Sequence, residues 1–151
     1  MDTSSGCHVE LHLPNRPEFV AVARLAVSAL ACRMSFDIDA IEDIKVAVGE
    51  ACTNAIEHGC PAEPGVQVIV VCCDLKDEGL EITVKDPGEG FDPATAARQH
   101  RQGTAVLTER GLGMLLIESL MDEVQFDSMP GNGTQVRMLK RVRVLETTES
   151  S

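Results

Sequence analysis

Apolar and polar positions alternate over residues 7–13, with Val9, Leu11 and Leu13 on one face, which predicts a short strand. Asn15 with Glu18 three positions on has the spacing of a capping box. Beyond it, Phe19, Val20, Ala23, Val27, Leu30, Ala31 and Met34 recur at helical spacing and predict a first helix. A second helix is predicted to begin near Asp39, with Glu42 three positions on and a stripe of Ile41, Ile44, Val48, Ala51, Cys52 and Ala55. It is expected to end near His58-Gly59, where Pro61 blocks continuation.

Residues 66–73 are apolar almost throughout, as in a central strand buried on both faces. Leu80, Ile82 and Val84 alternate with Glu81, Thr83 and Lys85, so the next strand has one wetter face, and Asp77-Glu78-Gly79 makes the two antiparallel. A long irregular stretch, about 91–110, is too long for a routine connection and reads as either a functional lid or a disordered segment. A helix over about 112–121 follows, then strands over 123–128 and 134–142 joined by the turn Pro130-Gly131-Asn132-Gly133. The order β-α-α-β-β-lid-α-β-β, with neighbouring strands antiparallel, predicts an α+β two-layer α/β sandwich with helices on one face. Polar tails are expected at 1–6 and 146–151, around a single domain over 7–145.

Composition narrows the function. The formal net charge is −11, which argues against a nucleic-acid groove while leaving room for a local nucleotide pocket. Aromatics are 3%, with no Trp or Tyr, so the core is aliphatic and base stacking on an aromatic platform is not expected. No apolar run approaches the ~20 residues of a membrane span, and the first residues lack a signal-peptide pattern, so the expected location is cytoplasmic. Six cysteines without a C-x-x-C pattern read as thiols, as buried small apolar side chains rather than as zinc ligands.

Four short motifs could carry chemistry. Between Val46 and Ile56, Glu50 is the only charged residue and Asn54 the only amide, four apart on one flank of a helix. Read alone, Glu50 is either a carboxylate satisfied by a surface Lys or a backbone amide, or a general base beside a metal ligand. Magnesium accepts a single protein oxygen such as the Asn54 carbonyl, with phosphates and water supplying the rest. Asp86-Pro87-Gly88-Glu89-Gly90 ends a strand, either as an ordinary capped turn or as an acceptor for an exocyclic amine beside hinge glycines. Glu109-Arg110-Gly111-Leu112-Gly113 opens a helix, either as a flexible start or as an anion site with Arg110 adding a cation. Gly131-Asn132-Gly133-Thr134 by itself says only hairpin.

In this order and spacing, E-x-x-x-N, D-x-G-x-G, lid, G-x-G and G-T resemble the GHKL ATPases, the superfamily of gyrase, Hsp90, the histidine kinases and MutL. The stretches VAVGEACTNAIEHG, VKDPGEGFDP and ERGLGMLLIESLMDEVQF are similar to the RsbW-type anti-sigma-factor serine/threonine kinases. Histidine kinases carry a helical hairpin with a phospho-accepting His, whereas His8 and His12 here fall on a strand pattern. The resemblance implies a GHKL (Bergerat) sandwich with a mixed, mostly antiparallel sheet.

It also implies roles. Glu50 would be the base acting on the attacking hydroxyl, and Asn54 would bind Mg²⁺ bridging the phosphates of ATP. Asp86 would read the adenine amino group, with Thr134 supporting it through a water. Gly88 and Gly90 would pass the backbone by the adenine and hinge the lid. Arg110 would meet the γ-phosphate, with Gly111 and Gly113 placing amides near the phosphates. His58 either lines the same pocket or plays a plain helix-end role. The lid, with Thr95, Thr104, Thr108, Arg98, His100 and Arg101, would order on nucleotide. The implied partners are an anti-anti-sigma protein of the STAS fold as substrate, an RNA polymerase sigma factor, and a second copy of the chain. Arg24 and Arg33, off the apolar stripe, either face a partner or are solvated charges. The alternative function is a non-catalytic, ATP-switched binding or adaptor domain of the same fold; a plain sandwich with coincidental motifs is the third reading.

Overall fold

The structure, a computed structural model, describes residues 6–58, 68–86, 109–128 and 133–143. Most of the expected lid (91–108), the tails apart from Gly6, and Gly88, Gly90 and Cys60 lie outside them, as do the side chains of His58 and Arg110; the last two residues assigned to the lid, 109 and 110, are instead the start of a helix. Within them the elements are strand β1 (Cys7–Pro14), a 3-10 turn (Pro17–Phe19), helices α1 (Val20–Arg33) and α2 (Ile38–His58), strands β2 (Val68–Leu75) and β3 (Gly79–Asp86), helix α3 (Glu109–Leu120), and strands β4 (Glu123–Ser128) and β5 (Thr134–Arg141).

The five strands form one sheet in the order β1-β2-β3-β5-β4, and each described pairing is antiparallel. The sequence places 66–73 at the centre, but β3 takes that position and β2 lies between it and the edge strand β1. The expectation that successive strands pair fails at β3 and β4, because β5 inserts between them. Alternation sends Leu80, Ile82 and Val84 of β3 into the core, with Ile69, Val71 and Cys73 of β2 and Val136 and Met138 of β5 beside them.

Helix α2 packs against α1 and α3 and lies over β2, β3 and β5. Its Ile44, Ala47, Val48, Ala51, Cys52 and Ala55 are buried, a stripe broad enough to face a sheet and two helices. Lys140 ties the layers at one end, donating to Asp43 Oδ2 on α2 at 3.2 Å and to the Leu120 carbonyl at the end of α3 at 2.6 Å.

Three helix starts differ from the sequence reading. The Asn15–Glu18 spacing is not used as a box: a 3-10 turn intervenes, α1 begins at Val20, and neither start has a side-chain cap. Glu18 instead pairs with Arg16 at 2.7 Å. The second helix is capped two residues before Asp39, where Asp37 Oδ1 accepts from the Ala40 N–H at 2.7 Å. Helix α3 starts at Glu109, three residues ahead of the expected position.

Candidate functional site

Asp86 and Thr134 are each 7% exposed, two of three buried polar or charged side chains among the described residues. They stand directly opposite each other in the β3–β5 ladder, on its core-facing side. Asp86 ends β3 and Thr134 begins β5, so the pair sits at one end of the sheet, where the apolar rows of both strands run out. Gly133, immediately before Thr134, has φ 84°, a conformation that glycine adopts without a Cβ penalty.

Asn54 comes to the same place from the C-terminal half of α2. It lines one cavity with Asp86 and Thr134, and Met114 of α3 closes another wall. Ala51 and Ala55, one turn apart on α2, form the apolar floor with Val84 and Val136. The cavity measures about 10 Å³, on the scale of one water. Reading Ala51 and Ala55 only as core missed this second use. Their signal was spacing, since 51, 54 and 55 share one helix face.

Glu50 lies one turn before Asn54, and both meet α3 at Gly113. A Cβ on Gly113 would stand 3.0 Å from Glu50 Oε2, 3.2 Å from Asn54 Nδ2 and 3.5 Å from Asn54 Oδ1. The carboxylate and the amide therefore converge over a backbone position where a side chain would have to push them aside. Gly113 is the fifth residue of α3, past the first turn whose N–H groups are unpaired in any helix. Its distinctive contribution is the missing side chain, whereas Gly111 stands in the first turn.

Hard oxygen donors on a rigid helix suit Mg²⁺, and the cradle over Gly113 keeps them close without a side chain between. Gly113 and Met114, in the N-terminal half of α3, face this region, while its last residue, Leu120, lies by Lys140 at the other end, so the positive end of the helix dipole is the nearer one. An acid, an amide and the end of a helix dipole flank a buried Asp–Thr pair. That arrangement can bind a polar heterocycle at one end and an anion with its cation at the other.

The cysteines fall in two groups. Cys52, Cys72 and Cys73 are buried, and burial pushes the thiols of Cys52 and Cys73 up to about 12. Cys7 and Cys32 are exposed, against the expectation of burial, and all five described cysteines are free thiols.

The sequence profile of the histidine kinase-like ATPase domain matches residues 13–140. The serine-protein kinase RsbW of Bacillus licheniformis is 38% identical over 140 residues, covering 88% of this chain and 84% of that protein. The serine-protein kinase RsbW of Bacillus subtilis is 38% identical over 133 residues, covering 82% and 80%. That of Staphylococcus epidermidis is 35% identical over 142 residues, covering 90% and 87%. Among solved structures, the RsbU and RsbW domains of a Mycobacterium tuberculosis protein superpose with a TM-score of 0.66 at 20% identity, over 89% of this chain and 32% of that longer one. A histidine kinase domain from the blue-light activated histidine kinase of Erythrobacter litoralis gives 0.54 at 19% identity, over 85% and 61%. At these identities the two structures establish the likeness of fold.

Proposed function

The chain belongs to the histidine kinase-like ATPase family, on its serine-protein kinase RsbW branch, and from that premise we propose how its residues carry out the work. It is an anti-sigma factor that transfers the γ-phosphate of ATP to a Ser or Thr of an anti-anti-sigma STAS protein and sequesters an RNA polymerase sigma factor. The observation that supports this best is the convergence of Glu50 and Asn54 over Gly113, next to the cavity shared by Asn54, Asp86 and Thr134.

In this reading Asp86 accepts from the adenine amino group, and Thr134 holds a water beside it in the small cavity. Asn54 offers its carbonyl oxygen to Mg²⁺, which when bound supplies charge neutralisation between the phosphates. Glu50 takes the proton of the incoming hydroxyl. Gly111 and the first turn of α3 present N–H groups to the phosphates, and Arg110 brings a cation to the γ-phosphate. Gly88 and Gly90 would hinge a lid that reaches from about 91 to the start of α3 at Glu109 and would exclude water once nucleotide is bound. The domain spans 7–145 and works in the cytoplasm; no helix among the described residues is long and apolar enough to cross a membrane. The chain acts as a homodimer, with α1 the proposed contact, where Val22 and Leu25 are exposed at 43% and 70%.

The test is phosphate transfer from labelled ATP to a cognate STAS protein in the presence of Mg²⁺. Wild type is expected to transfer, and Glu50→Ala to lose at least about 100-fold in rate while still binding nucleotide. Asn54→Ala is expected to abolish Mg²⁺-dependent ATP binding with the fold intact. Asp86→Asn is expected to weaken discrimination of ATP over GTP. Normal nucleotide binding with no transfer by wild type would overturn the kinase reading. A Glu50→Ala protein that regulates like wild type would favour the adaptor.

A further inference from the structure

The sheet face turned away from the helices carries a cluster that the nucleotide pocket does not use. In the β1–β2 ladder His8 stands opposite Asp74, Glu10 opposite Cys72, and His12 opposite Val70. Strand alternation places all of these on the outer face, while Val9, Leu11 and Leu13 turn inward to the core. The polar groups are already in contact. His8 Nδ1 is 2.6 Å from Asp74 Oδ1, and its Nε2 is 3.2 Å from Glu10 Oε2. His12 Nε2 is 2.6 Å from the other Glu10 oxygen, Oε1. One ligand atom each from His8, Glu10 and Cys72 lies within 4.8 Å of the others.

We propose that His8, Glu10 and Cys72 form a binding site for a borderline-soft divalent cation of the Zn²⁺ class. His8 coordinates through Nε2, Glu10 through a carboxylate oxygen and Cys72 through Sγ, with His12 or water in the fourth position. Asp74 accepts from His8 Nδ1–H, which fixes the tautomer that leaves Nε2 free for the metal, a carboxylate–histidine–metal arrangement. Bonds of about 2.0–2.3 Å require ligand atoms somewhat closer than they stand. His8 and Glu10, with side chains 50% and 42% exposed, have the rotational freedom to close in on Cys72 below them. The thiol proton leaves to solvent as Sγ binds.

The donor set sorts the metals. Nitrogen, oxygen and sulfur together favour Zn²⁺ over Mg²⁺, whose preference for oxygen suits Asn54 on the helix-covered side. The two positions lie on opposite faces of the sheet, so one does not compete with the other. A plain surface ion-pair network would need His8, Glu10 and Asp74 but not Cys72, a residue only 7% exposed that stands opposite Glu10.

Metal-free full-length protein titrated with Co²⁺, as a spectroscopic probe for Zn²⁺, decides the matter. The expected result is one equivalent per chain, with a thiolate-to-cobalt band in the near ultraviolet and the visible bands of a four-coordinate ion, both erased by Zn²⁺. Cys72→Ser is expected to remove the thiolate band, and a Cys7→Ser/Cys32→Ser double variant to keep it. The exposed change His8→Ala, which leaves the core untouched, is expected to weaken Co²⁺ binding at least 10-fold. Asp74→Asn is expected to weaken it about 10–100-fold. Absence of a thiolate band in wild type, or its survival in Cys72→Ser, would overturn the proposal.

Discussion

Gly113 sets how near α3 can approach the two polar groups of α2. A methyl there would meet Glu50 Oε2 at 3.0 Å and Asn54 Nδ2 at 3.2 Å, and both are ends of side chains that can swing aside. Alanine also favours a helix interior over glycine by about 1 kcal/mol. Gly113→Ala is therefore expected to keep or raise the melting temperature while lowering kcat/KM for ATP by about 100-fold, because the acid and the amide are displaced. A calorimetric scan beside a kinase assay separates the two effects. Glu50 and Asn54 were legible in the sequence because they interrupt an otherwise apolar stretch. Asp86 was legible because it breaks the alternation where β3 ends. The His8–Glu10–Cys72 cluster was not: its members lie on two strands, and His8 meets Asp74 across 66 positions. Spacing rules detect ligands that are close in sequence, and only strand register brings these together.

At the level of elements, the β2–β3 hairpin closes through paired backbone bonds between Lys76 and Gly79, at 2.9 and 3.2 Å. Gly79 lies so close to β5 that a Cβ would fall 2.1 Å from the Lys140 carbonyl oxygen. That neighbour is backbone and cannot rotate away. Gly79→Ala is expected to destabilise the protein by about 2 kcal/mol, read as a lower urea midpoint with an unchanged slope. The types of the helices and strands were legible among the described residues, since the two periodicities are strong, whereas the 3-10 turn at Pro17–Phe19 was not. The helix starts were less so. Asn15 and Asp39 both have a Glu three positions on, yet Asp37 is the residue that caps, and α1 enters through a 3-10 turn beginning at Pro17. A capping pair at the right spacing is permitted by local chemistry, but where the chain leaves the preceding strand decides whether it forms.

Across the whole molecule, one aliphatic core joins the helix layer to the sheet, and Ile82 is fully buried within its central strand. Ile82→Ala is expected to cost about 3 kcal/mol and to shift a single cooperative transition, with far-ultraviolet dichroism and nucleotide binding lost together. The two-layer class followed from element order alone. Strand order did not, because the insertion of β5 between β3 and β4 depends on contacts distant in sequence. That insertion is what sets Thr134 against Asp86.

The facing of Asp86 and Thr134 has a consequence for how the chain matures. Sliding β5 by a single position along β3 would turn its alternate side chains over, carrying Thr134 to the outer surface and apolar Val136 and Met138 with it. A chain frozen in that misaligned state would have no matched pair with which to grip a base. If Asp86 and Thr134 hold the base as proposed, nucleotide present during refolding would favour only correctly aligned molecules, acting as a template for the sheet as well as a substrate.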